Sequence, residues 1–335
     1  MKKYIIATLG SHSALQILKG AADEGFRTLV ITPEKRSVFY RRFPFINEII
    51  SIKSYAEFSH LDKELKKRNT IIIPHGSFVA YLGMEQNKKM TLPYYGNKQV
   101  LDWEADRLRQ HRWMKASKLL IPELFPDENI TEYPAIVKSY GAAGGKGYFY
   151  AKNRADFRKK IHRLGQEKFI IQKYIIGVPL YIHYFYSPVE NRLEILSIDR
   201  RYETNVDALG RIPLINQKEF TIEPSFVVVG NSPLTLRESL LPEAYAMGER
   251  VVNASKQLIG KKGLYGPFCL ETIITPDQKF YVMEISCRIV AGTNLFIGGS
   301  PYSALLFDEP MSTGRRIARE IKMAIKLNKL PLIFD

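Results

Sequence analysis

Two glutamates, each embedded in an apolar strand-like run, carry the sharpest chemical signal in this chain. Glu271 closes G-P-F-C-L-E, and Glu284 sits in F-Y-V-M-E-I-S-C-R, thirteen residues on. A hairpin turning at Pro276-Asp277 would set them side by side. Carboxylates that close repel each other unless a cation lies between them, and Mg²⁺ takes one or two carboxylates together with phosphate oxygens. Glu284 lies between Val282-Met283 and Ile285, where an unpaired charge is costly. A magnesium site, with Mn²⁺ as a substitute, is therefore the expectation, and a structural ion pair the alternative. Asn294 and Arg288, in R-I-V-A-G-T-N, follow closely enough to add a further ligand and a phosphate contact.

The stretch P-A-I-V-K-S-Y-G-A-A-G-G-K-G-Y-F, residues 134–149, supplies complementary positive charge. A short apolar strand ends at Lys138. The glycines that follow, among them Gly144 and Gly145, let backbone N–H groups approach an anion, and Lys146 adds a mobile cation. Walker A does not fit, because Gly147 follows Lys146 where Ser or Thr is required. A dinucleotide fingerprint does not fit either, since Tyr148-Phe149-Tyr150 resumes a strand instead of opening a helix. The glycines are expected at the tip of a β-hairpin that covers nucleotide phosphates; a flexible surface hairpin is the alternative.

Ser11-His12-Ser13 and His75-Gly76-Ser77 form a second constellation, each at the C-terminal end of an expected parallel strand. Ligands bind in that crevice of open α/β sheets. Ser13 is placed to cap the following helix, and its hydroxyl and the free N–H groups suit a phosphate or carboxamide. Neither serine lies in G-x-S-x-G, so no nucleophilic triad is indicated. A third polar run, S-I-D-R-R-Y-E-T-N-V-D-A-L-G-R-I-P, holds Arg200, Arg201, Glu203, Asn205, Asp207 and Arg211. Strand alternation puts every second member on one face, lining a cleft or forming a solvated, salt-bridged surface.

Strands at residues 4–9, 28–31, 48–52 and 70–73 alternate with helical spacing, as in a doubly wound parallel sheet. Beyond residue 109 come strands, the glycine hairpin, a basic helix at 154–164 and a strand at 169–174. A mostly antiparallel region follows at 193–198, 225–229, 267–274 and 279–285, covered by helices at 242–259 and 315–327. The expected division is 1–108 for a Rossmann-like domain, 109–188 for a lid subdomain and 189–335 for the subdomain with the metal site. The 335 residues are 45% hydrophobic and 25% charged, an ordinary enzyme-like composition. No apolar run approaches the roughly 20 residues that span a bilayer. With no signal-like leader, a cytoplasmic location is expected. Cys269 and Cys287 lie in apolar contexts and are expected as buried thiols. The net charge of +15 is spread over several helix faces without a nucleic-acid motif, so it fits small anionic substrates, with no nucleic-acid or membrane partner expected.

Taken together, these motifs resemble the ATP-grasp superfamily and, nearly end to end, its archaeal-type 5-formaminoimidazole-4-carboxamide ribonucleotide (FAICAR) synthetase family. The resemblance is carried by A-T-L-G-S-H-S-A-L-Q-I-L-K-G-A, P-H-G-S-F-V-A-Y, I-V-K-S-Y-G-A-A-G-G-K-G-Y-F, I-D-R-R-Y-E-T-N-V-D, G-P-F-C-L-E and G-T-N. It implies a mixed α/β and α+β architecture, an ATP-grasp fold behind a parallel-sheet domain. It implies ATP- and formate-dependent formylation of aminoimidazole carboxamide ribonucleotide (AICAR) through formyl phosphate, in purine biosynthesis. It also implies a homo-oligomer, a hexamer.

By position, the resemblance assigns AICAR contacts to His12, Ser13, Ser77, Arg211 and Asn231. ATP contacts fall on Arg112, Lys138, Gly144, Gly145, Lys146, Gln172, Tyr174, Ile175 and Glu203. The metal falls to Glu271 and Glu284, and the phosphate clamp to Lys138 and Lys146; the residue reading adds Asn294 to the metal ligands and Arg288 to the groups that neutralise charge during transfer. Arg112 stands where the superfamily usually has a lysine, Lys173 where relatives often have an acid, and Asp102 where an arginine is common. Those departures leave two alternatives: a ligase for another small carboxylate or amine, and a nucleotide-binding relative without turnover.

Overall fold

The N-terminal apolar runs are short, continuous and rich in β-branched residues, the pattern of strands buried on both faces. They form β1 (Ile5–Leu9), β2 (Arg27–Pro33), β3 (Glu48–Ile52) and β4 (Thr70–Ile72), a parallel sheet in the order β3-β2-β1-β4. The computed structural model describes residues 4–126, 130, 132–139, 148–165, 168–203, 207, 209–217 and 227–335. The chain winds outward from β1 to β3 and returns to place β4 on the other side of β1. That reversal is the topological switch point, and the Ser11-His12-Ser13 and His75-Gly76-Ser77 loops both open onto it. Helix α1 (Ala14–Asp23) follows β1 and buries Ala14, Gln16, Ile17, Leu18, Gly20 and Ala21.

Helices α2 (Lys98–Ala105) and α3 (Arg107–Ala116) lead out of this sheet. Asp106 caps α3 by accepting from the N–H groups of Leu108 and Arg109. Trp113 is fully buried and donates from Nε1 to the Val251 carbonyl, so α3 packs on the C-terminal part of the chain.

A second sheet comprises β5 (Leu124–Phe125), β6 (Ala135–Ser139), β7 (Tyr148–Ala151) and β8 (Phe169–Lys173), in the order β5-β8-β6-β7. Helix α4 (Arg154–Ile161) covers it, and Val137, Phe149, Phe157 and Ile171 form its small core. Strands β6 and β7 pair antiparallel from Ala135 opposite Ala151 to Lys138 opposite Tyr148, as a glycine hairpin requires. Its connecting residues 140–147, including Gly144, Gly145 and Lys146, lie outside the described residues, as does Asn205.

The third sheet is antiparallel throughout: β9 (Val178–Ser187), β10 (Arg192–Glu203), β11 (Val228–Pro233), β12 (Gly266–Ile274) and β13 (Phe280–Ser286), ordered β11-β10-β9-β12-β13. Strand β9 is its centre, so residues 178–187 share a sheet with the strands that follow them. One face packs on α5 (Leu241–Leu258), where Tyr184 donates to the Ala244 carbonyl. Helix α6 (Thr313–Lys326) covers part of the other face, where the Arg316 guanidinium lies over the Phe185 ring. Both cysteines are buried free thiols. Among the described residues no helix is long and apolar enough to cross a membrane.

Helices α1 and α6 lock the first domain onto the last. A Cβ on Gly20 would lie 2.1 Å from the Arg315 nitrogen, and one on Gly314 would lie 2.2 Å from the Gln16 carbonyl, so only glycine permits this approach. The Gln16 amide donates to the Thr293 carbonyl and accepts from the Gly314 N–H at 3.0 Å. At the far end, Glu24 gathers Arg315 at 2.8 Å, Arg319 and Lys322.

Candidate active site

The polar floor of the site follows from strand alternation. Asp199, Arg201 and Glu203 are two residues apart on β10 and share a face with Tyr181 and His183 of β9 and Glu271 of β12. Glu271 stands directly opposite Glu284, the side-by-side placement expected from the hairpin. Arg201 reaches Glu271 Oε1 at 3.2 Å and stacks over the Tyr181 ring at 3.6 Å. Ser286, which sequence reasoning passed over, donates from Oγ to Glu271 Oε1 at 3.3 Å.

Lys138 is buried at the end of β6 with its ammonium 5.5 Å from the Tyr148 ring centroid. Burial and the facing Glu271 push the Glu284 carboxyl up, while burial pulls the Lys138 ammonium down against the opposing pull of Glu284. The two glutamates and the Ser286 hydroxyl offer an all-oxygen donor set, which suits a hard divalent cation. Among the described residues no group of three or more His, Cys, Asp or Glu is gathered as a metal site.

Arg107, not Arg112, joins this end of the cleft. Its guanidinium donates to the Ser139 carbonyl and the Tyr148 hydroxyl, both at 3.2 Å. Arg112, five residues along the same helix and therefore rotated by about 140°, is exposed on another side. Arg288 pairs with Glu104 at 2.7 Å, and Glu104 also accepts from the Cys287 N–H at 2.8 Å. The residues that break the family pattern have local partners: Lys173 meets Glu132 at 2.8 Å and Asp102 meets Lys88 at 3.0 Å.

On β8, Gln172 is buried with its Oε1 unpartnered, and Ile175 is buried two residues after the strand. Tyr174 holds the chain by donating its N–H to the Pro134 carbonyl at 3.1 Å and lies edge-on to Tyr150. Glu203 acts on Tyr174 electrostatically, so the end of β8 and the end of β10 share one neighbourhood. Burial and the nearby Asp207 push the Glu203 carboxyl up to about 7.

In the first domain's crevice the His12 and His75 rings stack at 5.7 Å. His75 Nε2 meets the Leu9 carbonyl at 2.9 Å and its Nδ1 accepts the Ser77 N–H at 3.2 Å, which fixes a neutral Nε2–H tautomer. Burial holds His75 down at about 4. His12 adopts φ +48° and keeps an accessible surface, while the surrounding protein partly encloses its ring. That enclosure, then His75, Arg288 and Arg201, holds its imidazole well below the usual range. Ser13 sits at the N-cap position of α1 but its hydroxyl does not cap the helix; it pairs with His12 Nδ1 at 2.9 Å.

Asn294 joins this crevice through its amide nitrogen, which donates to the His12 carbonyl at 3.2 Å, while its Oδ1 is buried without a partner. Asn231 lies on β11 opposite Arg201 and donates to Asp199. Arg211 is exposed in the turn after Leu209. The structure thus gathers His12, Ser13, Ser77 and Asn294 at one end, and Lys138, Glu271 and Glu284 at the other. Asp199, Arg107 and Ser286 are the residues missed; the Asp199, Arg201, Glu203 alternation was the signal available for the first.

The chain matches two family models, described as a domain of unknown function (DUF1297) over residues 149–334 and a protein of unknown function (DUF1246) over residues 6–125. It is 51% identical to the 5-formaminoimidazole-4-carboxamide-1-(beta)-D-ribofuranosyl 5'-monophosphate synthetase of Pyrococcus horikoshii, over 97% of this chain and 98% of that one. The protein of the same name from Saccharolobus solfataricus is 49% identical over 98% and 99%. Among solved structures, the IMP biosynthesis protein PurP of Thermococcus kodakaraensis superposes with a TM-score of 0.80 at 30% identity, covering 98% of this chain and all of that one. An ADP complex of PurK, an N5-carboxyaminoimidazole ribonucleotide synthetase, shares the fold alone, with a TM-score of 0.67 at 16% identity over 95% and 76%. The parallel-sheet domain, the two antiparallel sheets and relatives at about half identity over nearly the whole chain place this protein in the FAICAR synthetase family of ATP-grasp ligases.

Proposed function

We propose that the protein formylates the 5-amine of AICAR at the expense of ATP and formate, releasing ADP and phosphate in purine nucleotide synthesis. The observation that carries this reading is Arg201. It touches Glu271 at 3.2 Å and also acts electrostatically on His12, so one guanidinium links the glutamate pair with the first-domain crevice, as transfer of an acyl group between them would require.

Formate is a poor acyl donor until one of its oxygens becomes a good leaving group. A formate oxygen attacks the γ-phosphorus, the bond to the ADP oxygen breaks, and formyl phosphate results. The AICAR amine then attacks the formyl carbon, the carbon–oxygen bond to phosphate breaks, and the departing phosphate takes the amine proton. Little covalent chemistry falls to the protein, so positioning and charge neutralisation dominate. Lys138 and Arg288 supply fixed positive charge along the path, with Lys146 assigned the same role from sequence. Glu271 and Glu284, with Ser286, would hold Mg²⁺, which when bound neutralises the phosphate oxygens.

His12, Ser77 and Asn231 serve as AICAR contacts. A neutral His12 suits hydrogen bonding to the carboxamide better than proton storage, because its imidazole is held well below the physiological range. Gln172, Tyr174 and Ile175 at the end of β8, with Glu203, take the adenosine end of ATP.

The test is ADP release measured with each substrate omitted in turn. ADP that forms only with AICAR and formate together, matched by FAICAR, is expected. ADP with a different acid, or tight ATP binding without turnover, would refute the assignment.

A further inference from the structure

Asp199 is a fully buried carboxylate beside the cleft. Its Oδ1 meets His183 Nε2, and its Oδ2 accepts from Asn231 Nδ2 at 2.6 Å. The loop carrying the G-T-N motif closes over it: a Cβ on Gly292 would lie 2.2 Å from Asp199 Oδ1. From that loop, Thr293 is tied to Gln16 and Asn294 to the His12 carbonyl. Asp199 is therefore held by β9, β11 and the loop that reaches the His12 crevice. Burial alone would raise its carboxyl, but His183, Asn231 and Arg201 hold it below the usual carboxylate range, so it is ionised.

An ionised carboxylate only accepts hydrogen bonds, whereas the Asn side chain has a donor end and an acceptor end. Turning the Asn231 amide over would set its Oδ1 against Asp199 Oδ2, two acceptors in contact. The amide is thus fixed with nitrogen inward, which leaves Oδ1 as the end of the side chain turned away from Asp199.

We infer that Asp199 is a positioning residue, locking Asn231 so that Oδ1 is presented to the cleft and takes a hydrogen bond from an N–H of the aminoimidazole carboxamide. This rests on the reading of Asn231 as an AICAR contact. A substrate group meeting Asn231 Oδ1 must be a donor, which the amine and carboxamide of AICAR are and a carboxylate is not. Discrimination against ribonucleotides bearing an acceptor there follows from the same lock.

A double-mutant cycle tests it, read as AICAR and ATP dissociation constants by titration calorimetry on the full chain. Asn231→Ala is expected to weaken AICAR about tenfold, the loss of one good hydrogen bond. Asp199→Asn, nearly isosteric, frees the amide to flip and is expected to weaken AICAR about fivefold with ATP affinity within about twofold. In the Asn231→Ala background, Asp199→Asn should add nothing. Should Asp199→Asn fail to fold, His183→Gln, which releases the other carboxylate oxygen, is read in the same cycle and should follow the same pattern.

Additive losses, or equal losses for AICAR and ATP, would overturn the lock while leaving the contact intact. Unchanged AICAR affinity in Asn231→Ala, or no AICAR binding by the parent protein, would overturn the contact and the lock with it.

Discussion

Glu284 stands opposite Glu271 across the β12–β13 ladder, yet among the described residues only Glu271 is met by a guanidinium within ion-pair distance. Burial and Glu271 push the Glu284 carboxyl up, so the ligand-free pair carries repulsion that a bound cation would relieve. Glu284→Gln is therefore expected to lower kcat by about 10²-fold or more and leave the melting temperature of the ligand-free protein unchanged or raised at pH 8. Mg·ATP should raise the melting temperature of the parent protein far more than that of the variant. Equal upshifts would sink the metal assignment.

The two arginines of α3 differ in their surroundings. Arg107 reaches the Ser139 carbonyl and the Tyr148 hydroxyl beside Lys138, whereas Arg112 is exposed on another side of the helix. Arg107→Ala is expected to raise KM for ATP about tenfold, close to the value of a charge-assisted hydrogen bond. Arg112→Ala should stay within about twofold. Steady-state kinetics with ATP as the varied substrate decides it, and the reverse order would return the nucleotide contact to Arg112.

Both arginines lie in one polar stretch, and that explains where the sequence was readable. Alternation and turn residues were enough to place β3 at Glu48–Ile52 and to set Glu271 beside Glu284, because a strand's period fixes which side chains share a face. Helix α3 offers no such guide, since five of its ten residues, Arg107, Arg109, His111, Arg112 and Lys115, are basic and its apolar stripe is thin. Its rotation is set by the burial of Gln110, Trp113 and Met114 and by the bonds that Gln110 and Trp113 make. Ser13 was misjudged as a cap for a similar reason: local rules favour capping, but the left-handed His12 brings a ring nitrogen within reach of the hydroxyl. Asp199 was hidden because its importance depends on β11 and the Gly292 loop, which are distant in sequence.

Glu24 clamps the first domain to the last, and its loss should be felt as stability. It is buried and accepts from Arg315, Arg319 and Lys322. Glu24→Gln is expected to cost about 2 kcal/mol, less than a fully enclosed pair because the cations are partly exposed. Burial opposes ionisation, but the hydrogen bonds from Arg319 and Arg315 prevail and lower the carboxyl to about 2. A depressed carboxylate contributes stability that is present above its unfolded value of 4.5 and lost as pH falls towards 2. Denaturant curves of parent and variant should therefore differ at pH 7 and converge below pH 4. A gap that persists undiminished in acid would contradict the ion-pair account.

Glu203 has the opposite sign. Burial and Asp207 raise its carboxyl from 4.5 to about 7, so between those values the folded protein binds the proton more tightly than the unfolded chain. Its contribution is favourable below the unfolded value and is lost as pH rises through the folded one. Glu203→Gln removes the charge and keeps the shape, so the ligand-free variant should be the more stable of the two at pH 8. The margin is on the order of 1 kcal/mol once solvent screening of this part-exposed group is counted. At pH 4 and below the two should melt together. The same change removes an acceptor from the adenosine end of the cleft, so ATP should bind more weakly to the variant at pH 8 even as the protein melts higher. Thermal melts and ATP titrations at both pH values read the two effects separately. A variant less stable than the parent at pH 8 would show that Glu203 is held by favourable contacts, contrary to the electrostatics described for it.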